Sequence, residues 1–182
     1  LYARGHDIGV HNKTHVSAAT LGDAAYFSEN LYARDYIRDS IGPRAADHAA
    51  FVGGHSTPGL IMMLYNAKFK STRAATPAGF GFVHPGWGTD PTNLWRNPRW
   101  RGNTWEMNSD MTLEQMKARF QQAIDAGMDF YCYGHQAYAS AGASAWSFIP
   151  GDPYSMPDLF DFAAAKIAAG EVEQATVSQL YA

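Results

Sequence analysis

The sequence predicts an α/β fold organised on a largely parallel sheet or barrel. Three observations carry this. Segments with apolar residues at helical spacing alternate with apolar runs of strand length along the whole chain. The helical segments have their own start and stop residues, such as Thr112-Leu113-Glu114-Gln115 before one and Gly42-Pro43 after another. The chain has 182 residues, of which 46% are hydrophobic and 17% charged, a balance that suits one globular domain with a full core, residues 1–182.

Each element has a local reason. Leu1-Tyr2-Ala3-Arg4 reads as the end of a helix, and Ile8 to Val10 as a short buried strand feeding a turn over His11–His15. From Leu21 to Ile41 the pattern is helical, with Leu21, Ala24, Ala25, Leu31, Ile37 and Ile41 sharing a broad apolar stripe until Gly42-Pro43 stops it. Ala49 to Val52 is a strand. Pro58 opens a helix through Leu60, Met63 and Leu64, since proline is tolerated in the first turn. Phe69 to Ala74 is a strand ending near Arg73.

Thr76 to Trp105 is rich in glycine, proline, asparagine and tryptophan and has poor periodicity, which predicts a long ordered loop. Thr112 and Gln115 form a capping box for a helix that runs to Ala126 and ends at Gly127. Met128 to Tyr133 is a strand, and Cys132 within it reads as a small buried hydrophobe. Ser155-Met156-Pro157-Asp158 starts a helix that closes at Gly170, and Thr176-Val177 reads as a final short strand.

Composition narrows the function classes. A formal net charge of −3 without a Lys/Arg run argues against nucleic acid and anionic membrane as partners. No apolar stretch reaches membrane-spanning length, so membrane insertion is not expected. The single cysteine has no second cysteine in the chain to pair with. Aromatic residues make up 14% of the chain, and Trp87, Trp95, Trp100 and Trp105 lie in or beside the long loop. Exposed, they line a glycan groove; buried, they pack the loop onto the domain.

The chemistry concentrates in a few positions. His11 and His15 stand four residues apart, so a helical or tightly turned backbone puts both imidazoles on one face, close enough for one metal ion. The same spacing also describes an ordinary solvated face. His135 ends an apolar strand, as a site residue or as a polar strand terminus. Arg73 follows a strand and binds either substrate or an acidic side chain, and His55 is either structural or touches substrate. Trp87 and Tyr133 are candidate substrate-binding residues.

The run Gly5-His6-Asp7-Ile8-Gly9-Val10-His11-Asn12-Lys13-Thr14-His15 resembles the second motif of the polysaccharide deacetylases, the NodB-like carbohydrate esterases. Ala50-Phe51-Val52-Gly53-Gly54-His55-Ser56-Thr57-Pro58-Gly59 sits where that family carries its third motif, with His55 near the position of the family's arginine. Asp129 to His135 sits where the family has an apolar strand ending in histidine. The resemblance implies a distorted (β/α) barrel of fewer than eight strands. It implies zinc, or another divalent transition metal, on His11 and His15, with His135 as general acid. The family's first motif, an Asp-Asp pair supplying the base and a third ligand, has no counterpart before Gly5. The expectation is therefore an N-terminally incomplete domain lacking its first strand and helix.

The function implied is metal-dependent hydrolysis of an N- or O-acetylated bacterial surface polysaccharide. The alternative is a glycan-binding or structural domain of a phage tail protein, with a degenerate deacetylase fold, because the opening residues also resemble tail-associated members of the family. Either reading implies an extracellular or virion-associated protein. It would act as a homo-oligomer or in assembly with other tail or upstream segments.

Overall fold

A computed structural model describes residues 2–43, 46–75, 82–83, 102–106, 111–127, 129–130, 132–133, 137–138 and 146–180. The chain divides into two compact units. One comprises Leu1–Thr76, Gly86–Asn103 and Ala175–Ala182, the other Pro77–Pro85 and Thr104–Gln174.

The first unit opens with a 3-10 turn, Tyr2–Arg4. Of the expected strand Ile8–Val10, Val10 alone makes a bridge, parallel to Ala49. Its N–H donates to His48 O at 2.8 Å, and its carbonyl accepts from Ala50 N at 2.8 Å. Gly9 makes this approach feasible, because a Cβ there would stand 3.1 Å from His48 O.

The expected helix over 21–41 is α2 (Asp23–Ser40), preceded by a short helix, α1 (Ala18–Leu21). Gly22 lies between them at φ 79, a left-handed conformation that only glycine adopts cheaply. The break resets the helical phase. Tyr26 and Asn30 are the buried residues of α2, with Phe27, Leu31, Ala33 and Ile37 packed beside the core. Ala24 and Ala25 are exposed instead, and Ile41 lies beyond the helix end and is exposed.

β1 spans His48–Ala50, shorter than the expected 49–52, because Val52–Gly54 turns into a 3-10 segment with Gly53 at φ 63. α3 (Pro58–Asn66) is capped by Thr57, whose hydroxyl accepts from Leu60 N at 3.1 Å. Its buried face is Leu60, Ile61 and Leu64, and Met63 is exposed. β2 (Ser71–Ala75) pairs parallel with β1, in the register His48↔Ser71, Ala49↔Thr72 and Ala50↔Arg73. Val10, Tyr26, Ala49, Phe51, Leu60, Ile61, Leu64 and Phe69 are buried together as this unit's core. Burying each large member contributes roughly 1.5–3 kcal/mol relative to leaving it exposed.

In the second unit, β3 (Phe82–Val83) pairs antiparallel with β5 (Asp129–Phe130). β4 (Gly102–Glu106) pairs parallel with β6 (Cys132–Tyr133) through Trp105↔Cys132 and Glu106↔Tyr133. Within the expected strand over 128–133, Asp129–Phe130 and Cys132–Tyr133 are strand with different partners, and Met128 and Tyr131 lie outside the described residues. The span expected as a loop, 76–105, contains β3 and most of β4. β7 (Ala137–Tyr138) pairs parallel with β8 (Trp146–Ser147).

α4 (Leu113–Asp125) starts at the expected capping box: Thr112 Oγ1 accepts from Gln115 N at 3.3 Å, and Gln115 Oε1 accepts from Thr112 N at 2.8 Å. α5 spans Met156–Ala168, with Ser155 accepting from Asp158 N at 3.2 Å. Leu113, Met116, Trp146 and Leu159 form this unit's core. By its surface Cys132 is exposed rather than buried, although the atoms crowding its thiol push its pKa up to about 11.

The chain then returns to the first unit. Thr176 and Val177 do not make a strand. Thr176 caps α6 (Val177–Leu180) with a reciprocal pair of bonds to Gln179, at 3.2 and 2.7 Å. Ser178 N donates to Asp7 Oδ2 at 2.7 Å, tying the end of this unit to its beginning. Among the described residues, no helix is long and apolar enough to cross a membrane.

Candidate functional site

The site is built where backbone pairing gives out. Val10 is held against β1 on both sides of its peptide, so His11 leaves the sheet at a fixed place. His11 Nδ1 then donates to Ala50 O at 2.9 Å. A carbonyl oxygen can only accept, so Nδ1 carries the proton, and in the neutral imidazole Nε2 carries the lone pair. Such a bond fixes both the tautomer and the ring orientation, the arrangement that metal-binding histidines use.

The segment from His11 to His15 is a turn rather than a helix. Asn12 and His15 both take left-handed conformations, with φ of 64 and 58. Asparagine tolerates this better than most residues, and its side chain bonds nearby backbone. Asn12 Oδ1 accepts from Thr14 N at 3.0 Å, and Asn12 Nδ2 donates to Val16 O at 3.2 Å. Thr14 is also tied to α2: its N–H and hydroxyl donate to Glu29 Oε2 at 3.1 and 2.7 Å. Lys13 Nζ sits 4.2 Å from the centre of the Tyr32 ring, one turn further along α2.

The outcome is that the two histidine rings meet. Their centroids are 5.0 Å apart at an interplanar angle of 68°. Two imidazoles sharing one tetrahedral zinc at Zn–N distances of about 2.0–2.1 Å place their centres about 5 Å apart. The donor set fits as far as it goes: two imidazole nitrogens suited to zinc or a related divalent metal, one with its tautomer fixed by a backbone carbonyl. Among the described residues, no group of three or more His, Cys, Asp and Glu side chains is gathered for a metal.

Beneath the turn lies Tyr26, fully buried, whose hydroxyl accepts from Val52 N at 2.9 Å. Burial pushes its phenol above the ordinary value, against opposing contributions from the Val52 N–H and the Asn30 and Asn12 side chains.

The other expected site residues are placed as follows. Arg73 lies in β2 opposite Ala50, the residue whose carbonyl holds His11, and the Arg73 carbonyl accepts from Phe51 N at 2.9 Å. Arg73 is the middle residue of β2, and β1 lies between it and the His11 segment, so the two backbones flank Ala50 from opposite sides. His55 is exposed, in extended backbone between the 3-10 turn and α3. Tyr133 lies in β6 opposite Glu106. His135 and Trp87 lie outside the described residues.

Sequence reasoning did not single out Asn12, Thr14, Tyr26 or Glu29. Asn12 and Thr14 carry the local signature of a side-chain-closed turn, asparagine followed two residues later by an N–H it can bond. Glu29 carries no such signal, because its partner Thr14 is 15 positions away. Compared with known proteins, the chain matches no family model, no curated sequence and no solved structure.

Proposed function

We propose that this chain is a polysaccharide deacetylase-like domain that hydrolyses acetyl groups from an acetylated glycan with the help of a divalent metal, zinc foremost. The observation that carries the proposal is the paired His11 and His15 rings, 5.0 Å apart, with His11 Nδ1 bound to Ala50 O. The sequence around them, Gly5 to His15, supports it by its resemblance to the family's metal-binding motif.

In this reading, His11 would hold the metal through Nε2, the nitrogen opposite its bond to Ala50 O, and His15 through a ring nitrogen. A divalent ion there supplies polarisation of an acetyl carbonyl and a bound water of lowered pKa. The fixed His11 tautomer keeps a lone pair on Nε2 without any proton rearrangement. His135 is proposed as the acid that protonates the departing amine or hydroxyl of the sugar. Arg73, in the middle of β2 opposite the His11 anchor Ala50, and His55, on the exposed connection before α3, are proposed to contact the glycan, with Trp87 and Tyr133 walling the acyl group. The fold proposed is the family's distorted (β/α) barrel. The setting proposed is extracellular or virion-associated, as an oligomer or in assembly with tail segments.

The test is acetate release from acetylated chitin oligosaccharides and O-acetylated xylan, with and without chelator. Chelator-sensitive release that His11→Ala abolishes supports the reading. Glycan binding with no acetate release, at saturating zinc, assigns the chain to the glycan-binding class instead.

A further inference from the structure

We propose that Glu29 is a positioning residue for the His11–His15 pair. Its carboxylate, reaching from α2, holds the turn in the one shape that keeps the two imidazoles side by side. The inference rests on the metal-site reading of that pair.

The turn needs such a hold. Asn12 and His15 both occupy left-handed backbone, and for a histidine this conformation costs on the order of 1 kcal/mol or more unless its surroundings enforce it. Side chains supply the enforcement. The Asn12–Thr14 bond is local, spanning two residues, and would form in any asparagine turn. It gives the segment a shape, and the Asn12 side chain also meets the Tyr26 phenol at the start of the turn. Glu29 fixes the far end. One carboxylate oxygen takes the Thr14 N–H at 3.1 Å and the Thr14 hydroxyl at 2.7 Å, a charge-assisted two-point grip on the residue next to His15.

Glu29 is itself well placed to act as a fixed post. It stands between Tyr26 and Asn30, the two buried residues of α2, so its backbone is anchored on either side. Three successive turns of the helix serve the same region. Tyr26 receives Val52 N, just beyond the strand that anchors His11; Glu29 grips Thr14; Tyr32 lies under the Lys13 ammonium at 4.2 Å. His11 is held from β1 and the His15 side of the turn from α2. The separation of the two rings is therefore set from Ala50 O and Tyr26 on the His11 side, and from Asn12 Nδ2 on Val16 O together with Glu29 Oε2 on Thr14 on the His15 side. Removing Glu29 leaves His11 oriented and takes away the hold that α2 has on Thr14, the residue next to His15.

The test is titration of the chain with Co2+, whose visible spectrum reports both affinity and coordination, using wild type, Glu29→Gln, Glu29→Ala and His11→Ala. Glu29→Ala should weaken Co2+ binding by about 10–100-fold, the usual effect of removing a group that orients a metal ligand. Glu29→Gln, which keeps an acceptor oxygen for Thr14, should recover most of that loss; a purely electrostatic role would show no such rescue. His11→Ala sets the level of a lost site. Wild-type affinity in Glu29→Ala overturns the proposal. If Glu29→Ala fails to fold, Thr14→Val carries the test, since it deletes the 2.7 Å hydroxyl contact. It should show a smaller loss of the same sign, and wild-type affinity there overturns the proposal equally.

A wild-type chain that binds no Co2+ would end the metal reading alone. The positioning role is then read in the metal-free protein by NMR. The nuclear Overhauser contact between the His11 and His15 rings and the slow exchange of the Thr14 amide should both be lost in Glu29→Ala. Their persistence overturns it.

Discussion

Tyr26 shows how one side chain links stability to pH. Its phenol is buried and receives the Val52 N–H, and burial raises its pKa above 10.0. The folded chain therefore holds this proton more tightly than the unfolded chain does. Stability is fully present below the unfolded value of 10.0 and is lost as pH rises through the folded one. Urea unfolding followed from neutral pH into the alkaline range should show this decline, and Tyr26→Phe should flatten it. The same substitution removes the acceptor for Val52 N–H and should cost about 1–3 kcal/mol at neutral pH. A Tyr26→Phe protein as stable as wild type at neutral pH would mean that water replaces the phenol oxygen. The His11–His15 pair was legible in the sequence because four-residue spacing is local information. Its geometry was not, because a turn with two left-handed residues and a grip from Glu29 leaves no periodic trace.

At the scale of elements, the parts written locally are the ones the sequence discloses. α3, α4 and α5 begin at Thr57, Thr112 and Ser155, each with its side chain on a backbone N–H of the first turn. Replacing Thr112 with alanine breaks a two-way cap and should cost roughly 0.5–2 kcal/mol, measured by thermal unfolding; Thr112→Asn should lose much less. Strands are a different matter. β5 and β6 are two residues each, too short to show alternation, and they differ only in the partners that tertiary structure gives them. Thr176-Val177 has the β-branched composition of a strand, yet Gln179 two places on turns Thr176 into a helix cap. The helix start after Gly22 and the short α1 before it went unread for a similar reason: a glycine beside a helical pattern is tolerated often enough that its φ of 79 is not readable from composition.

At the scale of the whole molecule, two separate cores carry the fold, one around Leu60, Ile61 and Leu64 and one around Met116 and Trp146. Leu60→Ala should cost about 2–5 kcal/mol, and hydrogen exchange should register it first in β1 and β2 and last in α4. Equal acceleration in both units would show that they open as one. Metal binding offers a second global measurement. A site that exists only in the folded chain stabilises it by about 2.7 kcal/mol at a hundredfold excess over Kd, so zinc should raise Tm and chelator should reverse the rise. His11→Ala should abolish the shift.

The bond between Ser178 N and Asp7 Oδ2 bears on how the protein is made. Its partners are 171 positions apart, and residues 175–182 belong to the same unit as the opening of the chain. At about 5–20 residues per second, a ribosome would take roughly 10–30 s to deliver Ser178 after Asp7 has emerged. The second unit ends at Gln174, so it is complete in sequence before Ser178 of the first unit has been made. Asp7 must wait in the cell for a partner not yet synthesised. This unit cannot finish folding in the order in which its residues appear.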